Sequence, residues 1–339
     1  MDVLKNRYIY LGISAVLFII SLFLLLVPKL NLGIDMTGGI QMDYNYSNSI
    51  NIPEIKKELE VKKTEFTYDW KEVINNINVY WITGQKTVSV VVWFYPMDDA
   101  KKLDELKIDF KNQVFDVIKS QDTTAVEAKY INIGKSFWDY IRDTAFITLA
   151  LAIVAITFYV TFAFSWVVSW ISVVSFAAIT VITLFHDVII SSGLYIFTSM
   201  FFPEFQIDTF FVTALLTILG YSINDTIVVF DRIRSNLRQY AGKGWKNWKD
   251  LYEIINLSIK ETLTRSIYTS LTLFFVLTTI FLFWPETISG FILVMLFGTI
   301  VGTYSSIFIA SPILYITNKD KKLSVYKKVV VNPDDKIVV

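Results

Sequence analysis

An acidic side chain in the middle of an apolar run has few uses, and several such runs here carry ionisable groups. Asp225 lies inside Leu219-Gly-Tyr-Ser-Ile-Asn-Asp-Thr-Ile-Val-Val-Phe230, and Arg265 lies early in the run that follows Glu261. At membrane depth each ionisable group costs roughly 2.5–3.5 kcal/mol on insertion scales, so each needs a reason. Counted from Asp231, Asp225 is about 9 Å into its helix, and Arg265 is about 6 Å past Glu261, at 1.5 Å per residue. Antiparallel helices would hold the two groups at similar depth. Thr217, Tyr221, Asn224 and Asp225 share one helical face, and Thr262, Arg265, Thr269 and Thr272 share another. Neither stripe suits lipid. The pair is either a static ion pair joining two helices or a carboxylate that titrates against a movable guanidinium.

Other polar groups read less sharply. His186-Asp187 falls well inside a third apolar run, as a satisfied packing group or a proton site. Asp231, Arg232 and Arg234 close the Asp225 helix as interfacial anchors, with a relay as the alternative. Gly298, Gly302, Ser306 and Ala310 recur at i, i+4, a small-residue stripe that lets another helix approach closely. Gly134-Lys135-Ser136 ends like a phosphate loop, but Lys129 stands where its first glycine belongs.

Composition says what holds these groups. Hydrophobic residues are 54% of the 339 and charged residues 18%, against about 45–50% and 25% in soluble domains. Lys+Arg and Asp+Glu are both 31, so no basic field points to nucleic acid. There is no cysteine and one histidine, which removes disulfides, thiolate metal sites and multi-histidine sites. No nucleophile–base set is visible, so the chain is read as no enzyme, needing no cofactor.

A spanning helix needs roughly 20 apolar residues. Such runs occur at 8–27, 144–164, 167–198, 207–230, 262–284 and 287–316, one helix plus five. The 231–260 segment carries seven of the basic residues, and Lys319, Lys321 and Lys322 follow the last run. The positive-inside rule puts both termini and that basic loop in the cytoplasm. The expected organisation is residues 1–28 with the first helix, an extracytoplasmic domain at 29–137, a bundle at 138–316 and a cytoplasmic tail at 317–339. The domain reads strand 31–46, helix 53–60, strands 77–83 and 86–95, helix 98–119 and strand 122–133. That order is a ferredoxin-like α+β unit, with a hairpin turn at Thr83-Gly84-Gln85-Lys86. Gly33, Gly38 and Gly39 mark a kinked strand start.

Several of these segments resemble the SecF family. Gly33-Ile-Asp-Met-Thr-Gly-Gly39 is similar to its GIDFTGG motif, with Met36 where Phe is usual. Gly220-Tyr-Ser-Ile-Asn-Asp-Thr-Ile-Val-Val-Phe-Asp-Arg-Ile-Arg234 and Glu261-Thr-Leu-Thr-Arg-Ser-Ile-Tyr-Thr-Ser270 resemble its fourth- and fifth-helix signatures. His186-Asp187-Val188 fits its third helix and Gly302-Thr-Tyr-Ser-Ser306 its last. The resemblance implies a subunit of the resistance–nodulation–division superfamily in the bacterial inner membrane. Its implied partners are SecD, the SecYEG translocon, an unfolded polypeptide in transit and membrane lipid. It implies that proton-motive force drives late steps of export, with Asp225, Arg265 and Thr269 as coupling groups. Asn224, Asp231, His186 and Asp187 are secondary candidates. The coupling ion is read as H+, with Na+ open. The alternatives are a non-transporting scaffold at the translocon and a small-molecule or lipid exporter of that superfamily.

Overall fold

The computed structural model describes residues 2–26, 30–82, 86–95, 97, 99–164, 171–241, 250–283 and 288–319. Among them, six helices are long and apolar enough to cross a membrane. The first is α1 (Arg7–Leu26); its lone buried positions are Ser14 and Ser21. A small α+β domain follows, and then the five-helix bundle.

The domain runs α2 (Ile34–Thr37), β1 (Gly39–Asn45), α3 (Ile52–Glu65), β2 (Thr67–Tyr68), β3 (Lys71–Glu72), β4 (Ile74–Trp81), β5 (Thr87–Phe94), α4 (Ala100–Gln121) and β6 (Val126–Ile133). Its four-stranded sheet has the order β4-β5-β1-β6 with antiparallel neighbours, the ferredoxin-like arrangement. Asn51 caps α3 and Asp99 caps α4, each accepting from backbone N–H groups of the first turn. Phe110, Val114, Val117 and Ile118 of α4 and Ile55 and Leu59 of α3 close over Ile40, Met42 and Tyr44.

Two features depart from the expected strands. The first strand does not begin at 31. A short helix, α2, interrupts it, because Gly38 and Gly39 take φ of 74° and 148° and turn the chain into β1. A Cβ on Gly39 would lie 2.4 Å from the Val92 carbonyl oxygen, so only glycine fits there. The tight β2–β3 hairpin turns through Asp69 and Trp70, both at positive φ, a conformation the composition of that stretch does not advertise. The expected turn at Thr83-Gly84-Gln85 lies outside the described residues.

The bundle comprises α5 (Lys135–Phe164), α6 (Val173–Ser199), α7 (Thr209–Ala241), α8 (Leu251–Phe283), α9 (Ser289–Ser305) and α10 (Ser311–Asn318). A π-helical turn at Ser306–Ala310 joins the last two. The expected 231–260 loop is largely helix. α7 continues to Ala241 and α8 starts at Leu251, because Ile233 and Leu237 bury against Leu251, Ile254 and Ile255. Asn236 reinforces the crossing by donating to Ser258 and Glu261. Lys243, Lys246 and Lys249 lie outside the described residues, as does the tail beyond 319.

α9 lies along α7 through its small residues. A Cβ on Gly298 would sit 2.3 Å from the Ile218 side chain, and one on Gly302 would sit 3.2 Å from Ser222. Ser306 and Ala310 fall in the π turn, where they are buried and the segment continues to pack on α7. Gly298→Val is expected to lower stability by about 1–3 kcal/mol through overpacking, read as a fall in the thermal unfolding midpoint in detergent. Gly302→Ala, with more room, is expected to fall less. Equal midpoints for both variants and the parent would contradict this packing.

Candidate functional site

Asp225 is buried where α7 meets α8 and α9. Ser270 of α8 donates to its Oδ2 at 3.4 Å. Ser270 in turn accepts from Tyr221 at 2.7 Å and from Thr303 of α9 at 2.6 Å. A hydroxyl has one proton, and that of Ser270 has a second acceptor, the Ser266 carbonyl at 2.7 Å. Thr303 likewise has the Thr299 carbonyl at 2.7 Å. The cluster is therefore a chain of hydroxyls across three helices, with two available orientations for Ser270 and for Thr303, ending on a carboxylate.

Arg265 does not join it. It lies exposed on α8, and no ion pair within 4 Å links it to Asp225. Thr269 is exposed too, its hydroxyl bonded to the Arg265 and Ser266 carbonyls. Asn224 faces outward one position from Asp225. The expected shared faces are thus divided by helix rotation. Asp225 and half-buried Tyr221 turn toward α8. Thr217, Asn224, Arg265, Thr269 and Thr272 form a polar stripe on the outside of the bundle. A groove of about 530 Å³ between α8 and α9 reaches Ser270 and Thr303 from the bundle's side, walled by Ile267, Leu271, Phe274 and Ile300.

A second polar cluster lies deeper in the bundle. Asp187 is fully buried on α6. Its Oδ1 is 2.8 Å from Nδ1 of His186, and its Oδ2 accepts from Ser222 of α7 and, at 2.7 Å, from Ser305 of α9. Nε2 of His186 meets Ser14 of α1. Two turns further along the same helix pair, Ser21 packs onto Gly193, where no Cβ fits. His186 and Asp187 thus tie α1, α6, α7 and α9 together. Ser222 and Asp225 are one turn apart on α7, so the two clusters share a helix.

Asp231 pairs with Arg234 at 2.5 Å, while Arg234 donates to the Ala163 carbonyl and covers the Phe164 ring. Arg232 pairs with Glu261 at 2.6 Å. This set does not close the helix as expected: α7 runs on to Ala241 and α8 begins at Leu251, so these pairs lie within the helices and bind α7 to α8 and to the end of α5.

Ser14, Ser222, Ser270, Thr303 and Ser305 were not among the expected site residues. The available signal was a hydroxyl within one turn of an acidic residue, or repeated every fourth position, in an otherwise apolar helix. Such hydroxyls usually bond their own helix backbone, so the signal alone does not select the five that cross between helices.

Residues 113–320 match the family described as protein export membrane protein SecD/SecF, C-terminal. The chain is 34% identical to protein translocase subunit SecF of Sebaldella termitidis, over 95% of this chain and 93% of that protein. It is 32% identical to SecF of Helicobacter pylori, over 93% of this chain and 87% of that protein. Its fold is similar to the crystal structure of SecDF, a translocon-associated membrane protein, from Thermus thermophilus. The TM-score is 0.72 at 23% identity, covering 94% of this chain and 39% of that one.

Proposed function

The chain belongs to the SecD/SecF family of protein-export membrane proteins, and from that premise we propose that it couples proton movement to protein export through Asp225. Membership carries a Sec-associated export role, with SecD as partner. The finer reading rests on one observation. A carboxylate is buried among transmembrane helices with one hydroxyl on it and, among the described residues, no cation within ion-pair distance of 4 Å. A structural ion pair would hold Arg265 against Asp225. Here the guanidinium lies on the exposed polar stripe, which hydrocarbon would not tolerate and a partner helix of SecD would cover.

The hydroxyl chain supplies a way to convert protonation into motion. When Asp225 is ionised, the Ser270 proton points to it. When Asp225 is protonated, it becomes a donor, and Ser270 turns its own proton to the Ser266 carbonyl. Ser270 then accepts from Asp225, so one of its two other donors must leave. Thr303 has its alternative in the Thr299 carbonyl, and the contact between α8 and α9 loosens. One charge crossing 100 mV is worth roughly 2.3 kcal/mol, and each pH unit adds about 1.36 kcal/mol. That biases a two-state rearrangement by about tenfold or more per proton. In this reading both termini are cytoplasmic in the bacterial inner membrane, and the α+β domain acts outside on the emerging polypeptide at SecYEG.

The test uses inverted membrane vesicles with this chain, its SecD partner and the translocon, with a preprotein halted partway. A protonophore should remove the export that depends on this subunit, and a sodium gradient should not restore it. Undiminished export with the proton gradient collapsed would sink the coupling reading. Restoration by sodium would replace the ion.

A further inference from the structure

The α+β domain is attached to the bundle by more than the two chain crossings at its ends. The segment that leaves α1 is stitched to the turn between α6 and α7. Leu32 pairs with Ile207 in a parallel bridge. The Gly33 N–H donates to the Ile207 carbonyl at 2.9 Å, and the Ile207 N–H donates to the Asn31 carbonyl at 2.8 Å. The Asn31 side chain donates to the Pro203 and Phe205 carbonyls at 2.8 and 3.0 Å. Thr209, the first residue of α7, donates to Asp35 of α2 at 2.5 Å. Gln206 donates to the Tyr80 hydroxyl of β4 at 3.3 Å, and its carbonyl accepts from Tyr195 of α6 at 2.8 Å.

Both ends of this strap are anchored in rigid structure. On the domain side, Ile34 of α2 packs with Tyr80 and Val91 on the sheet face away from α3 and α4. On the bundle side, Asp208 accepts from the Phe211 N–H at 2.8 Å and so closes the first turn of α7. A cleft of about 830 Å³ opens beside the strap, bounded by the sheet face and the 202–210 turn. Asp225 lies about 25 Å along α7 from Asp208, at 1.5 Å per residue. α1, by contrast, packs on α6 and the last helix, through Ser14, Phe18 and Ser21 and through Tyr10 against Phe308, rather than on α7. A displacement of α7 therefore reaches the sheet through the strap more directly than through α1.

We infer that the strap, residues 31–35 bonded to residues 203–209, stays closed through the working cycle and is the lever by which α7 moves the α+β domain. Asn31, Asp35 and Thr209 are positioning residues in this scheme. It rests on the proton-coupling reading of Asp225.

The chain has no cysteine, so engineered pairs report cleanly. The complex with SecD, reconstituted beside the translocon, is assayed for proton flux and for proton-driven export. Asn31→Ala with Thr209→Val should keep proton flux and lose about tenfold in gradient-dependent stimulation. Adding Leu32→Cys and Ile207→Cys to that background should restore export when the disulfide is formed and lose it again on reduction. In the otherwise unaltered chain the same disulfide should leave export intact. Two results overturn the lever: normal export by the weakened strap, or arrest of the unaltered chain by the disulfide with release on reduction. Absence of proton flux from the parent complex overturns the coupling reading instead, and the lever with it.

Discussion

Asp225→Asn is expected to abolish gradient-driven export while leaving the subunit folded and assembled with SecD. Asparagine has the shape of aspartate and keeps an acceptor for Ser270, so the α7–α8 contact survives. What it loses is the proton. The Ser270 hydroxyl then has no reason to alternate between residue 225 and the Ser266 carbonyl, and Thr303 keeps its place on Ser270. The lost drive is the whole bias a proton supplies, about tenfold or more in the populations of the two states. Proton flux and gradient-dependent export should therefore fail together, with ATP-dependent export and co-purification of SecD unchanged. An Asp225→Asn complex that exports at the parent's rate under a proton gradient rules out this carboxylate as the coupling group. A complex that no longer assembles assigns Asp225 to architecture.

Asp187→Leu should have the largest effect on stability. Leucine fills a similar volume and removes the acceptor used by His186, Ser222 and Ser305. In a soluble core each stranded donor would cost about 1–3 kcal/mol. Within membranes the measured worth of an interhelical hydrogen bond averages about 0.6 kcal/mol, because the unfolded chain also finds partners there. The membrane value governs a group at this position, so three donors amount to about 2 kcal/mol. The loss also frees His186, whose ring holds α1 through Ser14. The thermal midpoint in detergent should drop by several degrees, and α1 should become accessible to protease or to labelling at position 14. Asp187→Asn keeps an oxygen for the serines and offers an N–H to the other histidine tautomer, so its loss should be much smaller. If leucine and asparagine behave alike, the network is not what holds α1.

The comparison of the two clusters shows what could be read without coordinates. Spans follow from hydropathy, because about 20 apolar residues have no other economical home. All six helices fall where their apolar runs lie. The ferredoxin-like order follows from alternation in the strands and from the apolar stripe of α4. The 231–260 segment departs from the loop its charge predicts for a definite reason. Charge marked it as exposed, but charge does not break a helix, and its apolar positions at 233, 237, 251, 254 and 255 bury against one another.

Within the site, residue type and spacing brought Asp225 into view, since an acid in a hydrocarbon-length run carries its own cost. Its partner was beyond reach of that argument. Periodicity says which residues share a helical face, but a face is about 100° wide, and the rotation of α7 within it decides between neighbours. The rotation found here buries Asp225 against Ser270 and leaves Asn224 outside, with Arg265 on the outer stripe of α8. It likewise places Ser222 on Asp187, residues separated by 35 positions.

Amino-acid sequence by itself determined the number of spans, the sheet-domain topology and the identity of the buried acids, because these depend on local polarity and on repeats within single elements. Tertiary structure alone decided which hydroxyls meet those acids and that residues 31–35 are fastened to the turn before α7. Hydrogen bonds of that kind form between elements far apart in the chain, and they depend on the rotation and register of helices whose packing energy is summed over many side chains.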